Sequence, residues 1–564
     1  MLCDKGTTRT SYLSGMKAYL YAFFALLIVS IPGCGPAFEA DVTLTNVHIA
    51  QFDGDSLYYL HGHIAVQDGK ILGIHPIEEG KNTLPAAMDT VDLHGAYLYP
   101  GFIDAHAHFL GQGLAMNSVN LWGAKSWSEC VDRVRTYIAE HPTDPVIRGR
   151  GWDQNDWPGM AYPTNEALAG LTDKPIILSR IDGHAVIVND VALSLSGITA
   201  ESSIYGGEVL HLPNGEPTGV LIDNAEKLLQ SFEPSEAERT KALLDAQALC
   251  YSLGLTSVHD AGLPTHDIDL IHRLQQEGQL TIPLYVMVSA TEDELLTWKE
   301  RGPLKTPLLD VHSFKVYADG ALGSRGALLR EPYHDRMYHH GLQIQSTVSY
   351  WDMAEAIASM GWQMNTHAIG DSANHLMLDT YFAYAPEGSR WRIEHAQVVS
   401  KGDLALFGGK SQILPSVQPT HATSDMDWAV DRLGHLRMPD AYAYSELRQA
   451  AGGILPLGTD FPVEEVNPLY TLYAATARKA LDGHPSDGFQ MENALSRSQA
   501  LKGMTHDAAF AAFQEDELGA VKTGFWANFT IFTEDLTTCP EDNLPTLKVL
   551  QTWVQGACVY TTQP

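Results

Sequence analysis

Eight short apolar runs, each closing on polar residues, recur between Gly101 and Asp460: "GFIDAHAHF", "TSVHDAG", "IPLYVMVSA", "SFKVYADG", "QMNTHAIGD", "RIEHAQ", "ILPSVQPTH" and "ILPLGTD". Amphipathic helical stretches separate them. Eight β/α units close a barrel whose chemistry sits at the C-terminal ends of its strands. The expected fold class is therefore α/β, a TIM-like (β/α)8 barrel over residues 98–505. The stretch from about 141 to 235 does not fit the count. Its runs "VIRGRGWDQNDWPG", "PIILSRIDGHAVIVN" and "GEPTGVLID" read as an insertion after strand 1 that covers the mouth. Residues 34–97 and 506–564 have a different texture, with β-like alternation and Asp-Gly turns. The two ends are expected to combine into one small β-sandwich domain.

At 564 residues, with 45% apolar and 18% charged side chains, the chain can bury a large core and reads as globular. Lys and Arg number 36 against 68 Asp and Glu, a net charge of −32. That balance argues against nucleic acid or an anionic bilayer surface as a general partner. Six cysteines without a CxxC exclude a thiolate zinc knuckle and a disulfide-built fold. Near the N-terminus, "MKAYLYAFFALLIVSIPGCG" has an early lysine, a short apolar run and small residues before a cysteine. The run is too short for a membrane span. It resembles a bacterial lipoprotein signal with Ile31-Pro32-Gly33-Cys34 as the lipobox. The resemblance implies a start at Met16, removal of residues 1–33, acylation of Cys34 and a lipid-anchored protein of the bacterial cell envelope, on the periplasmic side. An ordinary secretory signal or an uncleaved anchor is the alternative. In an exported protein Cys539 and Cys558 could pair.

The first run carries His106 and His108 one residue apart. On a strand, residues i and i+2 face the same way, so both imidazoles project from one side. Neutral imidazole suits zinc and its neighbours, and the pair reads as half of a metal site. The other strand-end residues in chain order are Lys315, His367, His395 and Asp460. Each alone has a plain structural reading: Lys315 paired with Asp319, core histidines bonded to backbone, Asp460 as a helix cap. Together they fall on strands 1, 4, 5, 6 and 8, at the chemically active end. That joint placement favours a metal site.

The motifs carry a resemblance over nearly everything after the signal: "PGFIDAHAHF", "RGWDQNDWPG", "DGHAVIVN", "GEPTGVL", "GLTSVHDAG", "KVYADGALGSRGALL", "NTHAIGD", "RIEHAQ", "SVQPTH" and "GTDFPVEEVNPL". The chain resembles the amidohydrolase superfamily of metal-dependent hydrolases. More narrowly it is similar to amidohydrolase family 3, the branch containing N-substituted formamide deformylases. The resemblance implies that His106 and His108 bind a first metal, that Lys315 is carboxylated, and that His367, His395 and Asp460 complete the ligands. It implies one or two divalent ions, zinc above others, and a carbamate made from CO2 on Lys315. The expected reaction is hydrolysis of a non-peptide amide, N-formyl or N-acyl bond by a metal-activated hydroxide, with Asp460 moving the proton. A cyclic amide hydrolase or a deaminase is the alternative, and a non-catalytic metal-containing binding lipoprotein a more distant one. His184 and Arg325 are candidates to hold substrate oxygens. Trp152 and Trp157 in the insertion could receive an apolar substituent or simply pack. One departure from the family pattern is Asn528 in "FWANFTIF", where an acid is usual. The partner is a small-molecule amide, contact with the membrane runs through the lipid only, and an oligomer is possible.

Overall fold

The computed structural model describes residues 39–77, 84–230 and 232–562. The signal-like segment, with Met16 and Cys34, lies outside the described residues. Seven of the eight apolar runs are parallel strands of one sheet: β1 (Phe102–Ala107), β2 (Leu255–Leu263), β3 (Leu284–Ser289), β4 (Leu309–Tyr317), β5 (Gln363–Ala368), β6 (Arg392–His395) and β7 (Leu414–Ser416). They are almost wholly buried, as parallel strands covered on both faces must be. The eighth run, 455–459, closes the ring with few hydrogen bonds. Val417 pairs in parallel with Leu457 on one side, and Ala105 N–H donates to the Leu457 carbonyl at 3.1 Å on the other.

That closure depends on Gly458 and Asp104. A Cβ on Gly458 would lie 2.6 Å from His106 N, so only glycine lets the segment approach β1 this closely. Buried Asp104 then accepts from Thr459 Oγ1 at 2.7 Å and from the N–H groups of Thr459 and His106, both at 3.1 Å. Three donors are satisfied by one carboxylate, which locks the ends of β1 and the eighth segment in register. Asp460 follows directly.

Between the helix Phe109–Met116 and the helix Glu236–Ser252, the chain builds a second, six-stranded sheet. Its strands run from Val119–Asn120 to Pro217–Asp223, so the insertion opens earlier than the position near His141 expected from sequence. The helix Trp127–Glu140, capped by Ser126, fills the part that the sequence had left to the barrel. Trp152 and Trp157 are packing residues there, their indole N–H groups donating to the carbonyls of Leu178 and Ala124.

The two chain ends do combine. Strand Ala87–Pro100 pairs in parallel with Ala40–Asp53 and antiparallel with Phe529–Phe532. Among the described residues these strands form one continuous seven-stranded sheet, not two facing sheets as the expected sandwich requires. Its apolar face holds Leu44, Ile49, Ile64, Leu98, Phe529 and Ile531. Asn528 serves this junction: its side-chain oxygen accepts from Gln555 N–H at 2.7 Å, and its carbonyl from Gly101 N–H at 2.8 Å. Cys539 is buried, Cys558 is exposed, and both are free thiols.

Candidate metal centre

The C-terminal ends of β1, β4, β5, β6 and the eighth segment converge on Asp460. His108 Nε2 lies 3.2 Å and His106 Nε2 3.5 Å from Asp460 Oδ1. On the other oxygen, His421 Nε2 stands at 3.7 Å and His395 Nδ1 at 4.0 Å from Oδ2. The ligand atoms form two groups sharing the aspartate, His106–His108–Asp460 and His395–His421–Asp460. Lys315 Nζ is 3.0 Å from His106 Nε2 and 4.9 Å above the Tyr317 ring. His367 lies further along, its ring 4.5 Å from that of His395 and its Nε2 3.4 Å from the Gly320 carbonyl.

The surroundings fix how these rings present themselves. Glu394 Oε2 accepts from His106 Nδ1 at 2.6 Å, and Arg392 holds the other oxygen of Glu394 at 2.7 Å. With Nδ1 committed as donor, the Nε2 lone pair of His106 faces the centre. Gln418 Oε1 lies 2.7 Å from His395 Nδ1, the same nitrogen that stands 4.0 Å from Asp460 Oδ2, and so fixes the orientation of that ring. His395 and Asp460 both have positive φ, 71° and 63°. Strained backbone of this kind persists where the surroundings over-determine it, and it clusters at functional sites.

The electrostatics favour uncharged imidazoles around a charged carboxylate. Burial, reinforced by the neighbouring Lys315, brings His106 down to about 4, and burial also lowers His108, His367 and His395. Burial works upward on Asp460, but His108, His106 and His395 outweigh it and hold the carboxyl well below its usual range. Burial brings Lys315 down to about 8, against the pull of Glu394 and Asp460. Its amine is thus far easier to deprotonate than an exposed lysine, and a neutral amine is the form that adds CO2.

The donor set fits a divalent ion. Asp460 Oδ1 and His421 Nε2 are buried, and neither has an aligned hydrogen-bond partner. Such atoms are costly unless something else satisfies them, and the donors are imidazole and carboxylate, the ligands zinc accepts. The Lys315–Asp319 ion pair does not form. Asp319 accepts instead from the N–H groups of Ile369, Gly370 and Leu328, at 3.0, 2.8 and 2.8 Å.

Of the two substrate-holding candidates, the structure brings one to the centre. His184 packs its ring 4.8 Å from His367 and lines the same cavity as His395 and Asp460. Burial lowers its basicity, but Asp223 outweighs burial and lifts it to about 9. Arg325 is turned away, its guanidinium bound to Asp335 at 2.7 and 3.2 Å. The sequence reading assigned no role to His421 or Glu394. Both lie in quoted motifs, "SVQPTH" and "RIEHAQ", so the signal was there; their contacts with Asp460 and His106 were not.

A barrel with imidazoles and a carboxylate gathered at its strand ends is the architecture of a metal-dependent hydrolase. The family model described as "Amidohydrolase family" matches residues 89–560. The chain belongs to that family. It is 31% identical over 546 residues to the Arabidopsis thaliana "Protein LONG AFTER FAR-RED 3", covering 92% of each chain. It is 24% identical over 523 residues to the "N-substituted formamide deformylase" of Arthrobacter pascens, covering 88% of this chain and 94% of that one. Among solved structures, an uncharacterized metal-dependent hydrolase from Pyrococcus horikoshii OT3 superposes with a TM-score of 0.71 at 26% identity, over 89% of this chain and 99% of that one.

Proposed function

We propose that the protein hydrolyses a carbon–nitrogen bond in a non-peptide amide, an N-formyl or N-acyl compound, with zinc as the metal. The observation that carries this is the meeting of His106, His108, His395 and His421 on the two oxygens of one buried carboxylate, Asp460. A resident divalent ion supplies a water acidified from about 15.7 to roughly 7 and a Lewis acid for a carbonyl oxygen. Within the chain, Asp460 takes a proton from the attacking water and passes it to the leaving amine. The neighbouring histidines keep it ionised, the form that can accept that proton. Glu394 keeps His106 in its ligating tautomer, and Gln418 holds the ring of His395 in place. The low basicity of buried Lys315, 3.0 Å from His106 Nε2, favours its conversion to a carbamate, which would supply an anionic ligand beside His106. Hydrolysis of a cyclic amide or deamination is the second reading, since the same constellation serves it. The relative named for deformylation favours the first. The choice is tested by metal analysis of purified protein, then a panel of N-formyl, N-acyl and cyclic amides assayed for released amine. Turnover confined to cyclic compounds would replace the first reading with the second. Turnover of nothing by metal-replete protein would remove both and leave the metal-containing binding protein.

We further propose export and lipid anchoring at Cys34, on the strength of the "IPGC" tetrapeptide. Cys34→Ser should release the protein from the membrane fraction. Wild-type protein that is soluble and carries no lipid by mass spectrometry would end that reading.

A further inference from the structure

The insertion sends one histidine into the barrel's centre and holds it unusually. His184 sits on the turn between strands Ile176–Arg180 and Ala185–Val188. Its N–H donates to Asp182 Oδ1 at 3.1 Å, and its ring Nδ1 bonds Asp223 Oδ1 at 2.7 Å. Asp223 N–H donates back to the His184 carbonyl at 3.0 Å, so the two residues are tied at both backbone and side chain. The ring packs 4.8 Å from that of His367 and 6.3 Å from that of Tyr317 and lines the cavity, and its bond to Asp223 uses Nδ1 and leaves Nε2 free of it.

Three features of Asp223 are costly for a mere anchor of the insertion. Its backbone has φ 51° and ψ −125°, a region that side-chain-bearing residues rarely occupy. Its Oδ2 is buried without a hydrogen-bond partner. The barrel also makes room for it: a Cβ on Gly320 or Gly326, in the loop after β4, would lie 2.4 or 2.5 Å from that oxygen. An aspartate that only fastened the insertion could do so from ordinary backbone with both oxygens bonded. Strain and an orphaned oxygen, kept together beside a metal centre, fit a residue retained for what it does to His184.

We propose that His184 and Asp223 form a dyad in which His184 Nε2 makes the polar contact with the scissile amide group and Asp223 positions its ring. His184 is then a catalytic residue supplied by the insertion, and Asp223 a positioning residue. The barrel's centre is complete only when the insertion is docked. This rests on the amide-hydrolase reading above.

The test uses zinc-loaded, full-length wild type, His184→Ala, Asp223→Asn, the double variant, and Asp223→Gly. Each is assayed for metal content, Tm, kcat and KM on the amide that wild type hydrolyses fastest, and affinity for acetate as a probe of the carboxyl product. His184→Ala should keep its metal, lose at least tenfold in kcat/KM and bind acetate at least threefold more weakly. Asp223→Asn should shift both in the same direction by less, and the double variant should match His184→Ala within about twofold, because the two act as one unit. Asp223→Gly should lose activity like Asp223→Asn while its Tm equals or exceeds wild type. The proposal is overturned by metal loss in His184→Ala, by losses that add in the double variant, or by a lower Tm with normal turnover in Asp223→Gly. Wild type that hydrolyses no amide overturns the amide reading instead. The dyad is then judged on acetate alone, and unaltered or undetectable acetate binding overturns it.

Discussion

Two clusters of polar groups in this molecule are finished in opposite ways. Where the terminal sheet meets the barrel, Asp535 Oδ1 accepts from Tyr59 OH at 2.5 Å and from Thr537 N–H and Oγ1, both at 2.7 Å. Its Oδ2 accepts from Thr538 Oγ1 at 2.9 Å, and Tyr99 OH accepts from Leu536 N–H at 2.8 Å. Both oxygens of Asp535 are satisfied from within the chain. Around Asp460, the side chains are at least as deeply buried, yet Asp460 Oδ1 and His421 Nε2 have no aligned partner. The two clusters differ in depth, Asp535 being only half-buried, and they differ in saturation. The first cluster has used up its hydrogen-bonding capacity on the fold, and the second, more deeply buried, has kept part of its own for something else.

That contrast can be broken from either side. The largest effect is expected at Asp460. Asp460→Asn keeps an oxygen ligand and removes the base, so kcat should fall by about 10²–10⁴-fold with most of the metal retained. Near-normal turnover in the metal-loaded variant would move the proton-transfer role elsewhere. Lys315→Ala should lose both metal and activity if the residue is a carbamate, and short carboxylic acids at high concentration should restore part of each. Full metal and activity in that variant would exclude the carbamate.

Smaller changes are expected one step out. Glu394→Gln leaves His106 in place but weakens the bond that fixes its tautomer. Metal affinity should drop roughly 10–100-fold, read by chelator competition. An unchanged affinity would mean that Arg392 and packing alone hold the ring. The smallest functional effect should come from the saturated cluster. Asp535→Asn should cost about 0.5–1.5 kcal/mol of stability and leave metal content and kcat untouched. Its pH dependence is a separate check. Burial works upward on the Asp535 carboxyl, but hydrogen bonds from Tyr59, Thr537 and Thr538 outweigh it and hold the group below the usual range. A carboxyl with a depressed folded-state pKa stabilises the fold above its unfolded value near 4, and that contribution fades as pH falls through the lower folded value. The Tm gap between wild type and Asp535→Asn should therefore be full at pH 6 and shrink on acidification below about 4. A gap that stays constant would show that the charge of Asp535 contributes nothing.

The barrel was legible because each strand announces itself locally, as a buried apolar run with a polar end, and because strand ends of a barrel share one rim. Lys315, His367, His395 and Asp460 could be picked out on that basis without knowing any contact. The insertion's edge was not legible. Its first strand is only Val119–Asn120, and a helix follows it that reads like any barrel helix. Arg325 went astray for a related reason: "LGSRGALL" places an arginine near the rim, but Asp335, only ten residues on, turns it outward.

What the sequence determined by itself was periodic or chemical: the β/α alternation, the HxH pair on one strand face, the kinds of ligand available and the family to which they belong. Which nitrogen of His106 faces the centre, that His421 joins it, and that Lys315 meets His106 and not Asp319, were decided by tertiary structure. So was the pairing of His184 with Asp223. The physical reason is range. Strand periodicity acts between neighbours two residues apart, whereas Glu394 reaches His106 across 288 positions of sequence, and Thr459 reaches Asp104 across 355. Only closure of the barrel brings such groups within hydrogen-bond distance, and only there does a histidine acquire a tautomer and a carboxylate its charge.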